Sequence, residues 1–375
     1  MKLDLFCPQC EGYVGPQSTC RCGWTRPESL RQPDQPVWRA QLPTAVVGPL
    51  LITPRSDAAL VGFGSRSGEV GGLACVALEG GDSRWQHNVG ASVEGGAALA
   101  RGRVVLFGDA QGRLHGLRLS TGQRAWDPLT LDGPITATPL VAREVRAYVG
   151  TARGTVYCID WPRGREIWRT TLPRQRRRPR PRIAARPVWS DGQLWVGAYD
   201  GRVYALDAER GYHRQVYDAG GAIRTPLQIA GRRLVFGTND GALHAVDVRS
   251  GQEAWPPFRA KNGIPAAPLL HEGVLYVSSL DHHLYAVDLS SGQERWSLDL
   301  GHGLATTPAW IECGWLALGS NRGDVIAVDV ERHEVIWRFA VNEGRPDDYG
   351  RPVPVLGGPA VHDGVVYAGA CDGRL

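Results

Sequence analysis

Four cysteines near the start of the chain have the spacing of metal ligands. Cys7-Pro-Gln-Cys10 and Cys20-Arg-Cys22-Gly are separated by nine residues. Proline or glycine beside each pair favours a tight turn, so the thiolates can converge on one ion. Four thiolates at about 2.3 Å complete a tetrahedral Zn²⁺ shell and leave no open position, which makes the expected metal structural. A segment this short builds no core of its own and needs such a staple. The second pair is CxC where CxxC is commoner, and an oxidisable dithiol pair is the competing chemistry.

Arginine supplies the second set of chemically capable residues. The stretch 174–182 (RQRRRPRPR) holds Arg174, Arg176, Arg177, Arg178, Arg180 and Arg182 with no acid among them. A guanidinium pairs bidentately with carboxylate or phosphate, and the interleaved prolines keep the segment extended. Arg186 and Arg224 form a further pair, each close to a proline that opens a strand. A second long connection, NEGRPDDYGRPVP (342–354), sets Asp347, Asp348 and Tyr349 among arginines. These residues are the expected contacts for a protein partner, an acidic one suiting the basic loop. Solvated insertions and internally satisfied arginines are the bland readings of the same residues. No aromatic ladder of the kind single-strand binders use runs through them. His282-His283 reads as an exposed turn, and no Ser/His/Asp or Cys/His arrangement can be argued.

The elements that position these residues follow a repeat of about forty residues. DGRVYALD (200–207), DGALHAVD (240–247), DHHLYAVD (281–288) and RGDVIAVD (322–329) recur, each after an apolar strand. A turn glycine stands fourteen residues before a tryptophan in Gly71/Trp85, Gly112/Trp126, Gly154/Trp168, Gly241/Trp255 and Gly323/Trp337. His282/Trp296 keeps the spacing without glycine, and Gln215 stands where one tryptophan should be. First strands begin at small-small-Pro elements such as ATP (137–139) and TTP (306–308), where proline is harmless. The Asp before the last turn (Asp160, Asp207, Asp247, Asp288, Asp329) is placed to accept turn amides. Cys75 and Cys158 fall ten residues before a tryptophan, where other units have alanine or glycine, and read as small core residues. Cys313 and Cys371 receive no role.

Units of the form TPxxxxGxxYVGxxDGxLYAVDxxSGQExW resemble the PQQ-type repeat. That repeat occurs in quinoprotein dehydrogenases, in the propeller component of the outer-membrane β-barrel assembly machinery and in soluble interaction modules. The resemblance implies an all-β β-propeller of four-stranded blades over residues 36–375, and counting the units predicts eight blades. Residues 1–24 form the zinc-ribbon-like knuckle and 25–35 a polar linker. Seven units read as complete. The eighth, from 355, stops within its third strand, and PVWRAQL (36–42), with Trp38, is expected to complete it. Closure of this kind removes open sheet edges.

The resemblance also implies what an enzyme of this family would need: calcium held by acidic and amide groups, a catalytic aspartate, an aromatic stack on the quinone and often a vicinal disulfide. The chain has no adjacent cysteines and no CxxCH. No PQQ is expected, and a quinoprotein dehydrogenase is the least favoured of three classes. A non-catalytic scaffold in a bacterial multi-protein assembly is the first. A nucleic-acid-associated accessory protein, using the zinc ribbon and the arginine loop, is the second.

Composition bounds the setting. The 375 residues carry a net charge of +4, with 48 Gly and 26 Pro. Removing the arginine loop turns the balance negative, so the protein is only locally basic. No long apolar run predicts a membrane span. No signal-peptide pattern opens the chain. The expectation is a cytoplasmic, monomeric propeller.

Overall fold

The computed structural model describes residues 38–55, 57–65, 69–142, 145–312, 314–341 and 353–375. Every regular element among them is a strand, each paired antiparallel to its sequence neighbour. Seven four-stranded sheets follow one another at 51–88, 98–130, 140–171, 188–218, 228–259, 269–299 and 309–340. They are blades 1 to 7. The structure therefore has seven four-stranded blades, not the eight expected. The last unit is a two-stranded sheet, Val355–His362 with Val365–Ala370. Beyond it Gly373, Arg374 and Leu375 meet Ala40, Gln41 and Leu42 through an isolated bridge, Gln41 with Arg374, and short backbone bonds such as Ala40 N–H to the Leu375 carbonyl at 3.0 Å. Contact this short stops at a bridge and does not extend into a paired strand.

The hydrophobic cores lie between sheets, as period-two strands with two apolar faces require. Leu60, Leu73 and Cys75 of blade 1 pack against Val105, Phe107 and Leu117 of blade 2. Tyr148, Val156 and Cys158 of blade 3 meet Leu194, Val196 and Tyr204 of blade 4. Burying each large side chain stabilises by roughly 1.5–3 kcal/mol. Leu42, Val46, Val61 and Val76 gather Trp38, Tyr367 and Leu375, so the same core joins the last sheet to blade 1.

Innermost strands touch through small residues. A Cβ on Gly357 would lie 3.0 Å from the Gly48 carbonyl oxygen, one on Gly48 3.0 Å from that of Gly95, and one on Gly95 2.8 Å from that of Ala137. Glycine is required there because neighbouring backbones leave no room for a side chain.

Tryptophans clip one sheet to the next. Trp38 Nε1 donates to the Leu78 carbonyl at 2.7 Å, Trp85 to Leu119 at 2.7 Å, Trp126 to Trp161 at 2.9 Å and Trp255 to Leu289 at 3.1 Å. Each ring lies on a turn glycine of the next blade: Gly81 under Trp38, Gly122 under Trp85, Gly164 under Trp126, Gly211 under Trp168 and Gly292 under Trp255. Trp296 instead meets His333, with ring centroids 4.6 Å apart. At the seam of blades 4 and 5 Gln215 replaces the indole. There Tyr217 reaches His244 Nδ1 at 2.9 Å and donates to Glu253.

The repeat's punctuation has physical causes. Gly112, Gly154, Gly201, Gly241, Gly323 and Gly373 all have φ between 83° and 93°, and His282 takes the same conformation at φ 80°. Gly71 does not: it lies in a strand, and a Cβ there would come within 2.3 Å of the Ala91 carbonyl oxygen. Asp207, Asp247, Asp288 and Asp329 each accept the amides two and three residues on. Asp160 differs and pairs with Arg163 and Arg165. Cys75 and Cys158 stand opposite Trp85 and Trp168 in register, and burial pushes their thiols up to about 11 and about 12. They are inert packing groups.

Candidate basic face at blades 4 and 5

Each innermost strand is tied in by one apolar residue whose amide bonds to the preceding sheet. Ile183 donates to the Thr151 carbonyl and Ile223 to that of Ala198, both at 3.1 Å; Val46, Val93, Ile135, Ile264, Leu304 and Val355 repeat the bond. Counted from this anchor, Arg224 is the next residue and Arg186 the third. Their prolines had suggested equivalent places. Pro226 comes one residue earlier than Pro187, so the two arginines sit at different depths along adjacent strands.

Position by position, the residues after the anchors are Val47, Glu94, Thr136, Ala184, Arg224, Pro265, Ala305 and Leu356. Two residues deeper stand Pro49, Gly96, Thr138, Arg186, Pro226, Ala267, Thr307 and Gly358. Small or apolar groups prevail, Glu94 is the one carboxylate, and the two arginines fall on adjacent blades, 4 and 5, at depths two residues apart. Solvent reaches Arg186, yet protein surrounds it densely enough that desolvation lowers its pKa. Both hold for a side chain just before the innermost strand of blade 4, Val188–Ser190, that projects toward the axis of the ring. Among the described residues it has no hydrogen-bond or ion-pair partner.

A tyrosine organises the mouth of the axial channel. Tyr199, in the turn between the second and third strands of blade 4, donates its amide to the Arg182 carbonyl at 3.0 Å. The Arg182 guanidinium carbon lies 5.1 Å from the Tyr199 ring centroid and that of Arg224 lies 5.4 Å from it. One aromatic ring thus holds two cations, each contact worth roughly 0.5–1 kcal/mol where exposed. Tyr199 was not singled out from the sequence. The corresponding turn residues are Ala110, Ala152, Asn239, Leu280, Asn321 and Cys371, so aligning the turns exposes it.

The arginine loop continues outward from Arg182. Arg177 has φ 67° and Arg178 N–H reaches the Gln175 carbonyl at 3.5 Å, a local turn. Arg178 pairs with Asp218 at 3.1 Å, a carboxylate already shared with Arg202 at 3.2 Å. Arg174, Arg176, Arg177 and Arg180 are exposed, and among the described residues none has an ion pair. One loop arginine is therefore consumed by the fold, one stacks, and four are free to meet a partner.

Cys7, Cys10, Cys20 and Cys22 lie outside the described residues, as do Asp347, Asp348, Tyr349 and Cys313. The structure brings Arg182 and Arg224 together and places Arg186 in the segment that leads from Arg182 to the first strand of blade 4, Val188–Ser190. His282 and His283 do not form a pair: His282 is exposed, while His283 Nδ1 lies 3.0 Å from the Asp281 carbonyl oxygen. No group of three or more potential metal ligands occurs among the described residues.

A family model described as outer membrane protein assembly factor BamB matches residues 66–152, 128–338 and 257–375. BamB of Vibrio cholerae is 31% identical over 57% of this chain and 56% of its own length. BamB of Yersinia pestis is 23% identical over 51% of the chain and 52% of its own. Quinohemoprotein alcohol dehydrogenase ADH-IIG of Pseudomonas putida is 26% identical over 60% of the chain but only 35% of the enzyme. The chain thus spans between about a third and just over half of these curated relatives. Among solved structures, BamB from Moraxella catarrhalis superposes with a TM-score of 0.69 at 22% identity, covering 91% of this chain and 98% of that one. The computationally designed Ika8 protein gives 0.68 at 19%, covering 89% and 95%. At such identity these two likenesses show the fold alone. The cytoplasmic setting expected from the sequence is corrected here. The relatives named BamB are outer membrane assembly factors, which points to a non-cytoplasmic location.

Proposed function

Because the chain belongs to the family of the outer membrane protein assembly factor BamB, we propose that it is a non-catalytic scaffold that holds a protein partner within a multi-component bacterial assembly. The observation that carries the reading is the set of four exposed loop arginines without an ion pair, continuous with the Arg182–Tyr199–Arg224 cluster. Cations left unpaired on a rigid disc favour an acidic partner, steering its approach and fixing its orientation. The relatives named as assembly factors support this class. The alcohol dehydrogenase among the relatives keeps catalysis as the alternative to be tested, although this sequence has no CxxCH and no adjacent cysteines. The same reading gives Cys7, Cys10, Cys20 and Cys22 a structural Zn²⁺, on their spacing alone.

The test starts with a photo-crosslinking residue at position 176 or 180 in the native host, which captures and identifies the partner. The purified pair is then titrated against salt. Serine at all six arginines of 174–182 is expected to weaken binding at least tenfold and flatten its salt dependence. Unchanged affinity removes the reading.

A further inference from the structure

The mouth of the channel carries more positive charge than the fold uses. Arg178 shares Asp218 with Arg202; among the described residues, Arg182 and Arg224 are held only by the Tyr199 ring and Arg186 by nothing. The innermost positions of the other sheets offer small or apolar groups and the single carboxylate Glu94, three blades from Arg224. A guanidinium crowded by protein has lost part of its hydration and gained no counter-charge, which is costly unless an anion comes from outside.

The spacing states what kind of anion fits. Arg224 stands one residue past its anchor and Arg186 three, so the two are offset by two residues in the segments that lead into the first strands of blades 5 and 4. Two arginine side chains can span that gap onto one ligand bearing several anionic oxygens, with Arg182 closing over it from the rim. A single monovalent ion would leave two of the three positive charges unbalanced. We propose that the axial channel at the seam of blades 4 and 5 binds a small multivalent oxyanion, through Arg186 and Arg224 with Arg182 at the entrance. Tyr199 is the positioning residue: its ring holds Arg182 and Arg224 with their N–H edges free for oxygen. Bidentate guanidinium contacts suit phosphate and carboxylate alike. This site shares only Arg182 with the loop that docks a protein, and Arg174, Arg176, Arg177 and Arg180 take no part in it.

Calorimetric titration with pyrophosphate and, separately, citrate at constant ionic strength and low chloride tests the proposal. One anion per chain is expected, and the tighter of the two tells phosphate from carboxylate chemistry. Arg186→Thr should weaken binding at least tenfold. Threonine stands at that position as Thr138 and Thr307, so the variant has a precedent in the same fold. Tyr199→Ala, in a solvent-facing turn, should weaken it severalfold and serves if Arg186→Thr fails to fold. Arg210→Ser, in a turn between outer strands, should bind as the parent does. Absence of heat and of any thermal shift with both anions at millimolar concentration overturns the proposal, as does full affinity in Arg186→Thr or Tyr199→Ala. Partner docking is measured separately with serine at Arg174, Arg176, Arg177 and Arg180 alone, which leaves Arg182 in place, so either conclusion can fail without the other.

Discussion

The indole nitrogen of Trp38 donates to the carbonyl of Leu78 across forty residues of sequence, at 2.7 Å. The bond and the glycine beneath the ring repeat those of Trp85, Trp126 and Trp255. Trp38 thus does for the junction of blade 1 with the last sheet what the other tryptophans do between complete blades. Trp38→Ala should destabilise the protein by on the order of 3 kcal/mol. Trp38→Phe, which keeps packing and loses the donor, should cost about 1 kcal/mol. Denaturant unfolding measures both, and equal stability of parent and alanine variant would contradict the clip.

His282 occupies a turn position that glycine holds in the other units, at φ 80°. A side chain in that conformation costs roughly 1–3 kcal/mol. His282→Gly is expected to raise stability by about 1 kcal/mol, after the entropy that glycine loses on folding. A lower melting temperature would show that the imidazole makes contacts that outweigh the strain.

Acid should loosen one particular seam. His244 is buried, stacks on Phe236 and faces Tyr217, with Glu253, Asp240 and Arg259 around it. Desolvation holds its pKa at about 4, against 6.5 for the free side chain. The folded protein therefore binds fewer protons than the unfolded chain between those values. Stability is fully present above pH 6.5 and is lost as pH falls toward 4, by about 3 kcal/mol in total. In His244→Gln this part of the acid limb should flatten. An unchanged pH profile of the melting temperature would refute the assignment.

Metal analysis of protein purified under reducing conditions should give about one zinc per chain, released with proton uptake as pH falls. Serine at Cys10 and Cys20 together should abolish it. Two disulfides in place of bound metal would overturn the expectation.

Added PQQ and Ca²⁺ should not produce dye reduction with an alcohol or a sugar. Turnover dependent on both would reverse the functional class.

The blades were legible because each position in the repeat has one physical job: glycine where φ is positive, tryptophan where two blades meet, Asp where turn amides need an acceptor. Seven four-stranded sheets follow from that grammar. The last unit was misjudged because residues 373–375 meet 40–42 in a bridge too short to become a strand pair. Arg186 and Arg224 were visible as exceptions to small residues, but not their different depths, since proline is a weaker marker of register than the anchoring isoleucine. Tyr199 was missed because an aromatic in a turn looks ordinary until the turns are superposed. The compartment was misread from what the first residues lack, and an absence carries no chemistry.

Gln215 has a mechanical consequence. A ring of sheets that touch only their neighbours behaves as a row of links, and its strength is that of the least secure one. Indoles rivet the junctions from Trp38 through Trp296, save the one between blades 4 and 5. That junction relies on a tyrosine held by an imidazole and a carboxylate. Under load or in acid the circle should part there first, turning a closed disc into an open arc. An anion bridging Arg186 of one blade and Arg224 of the next would act as a splint across that same gap.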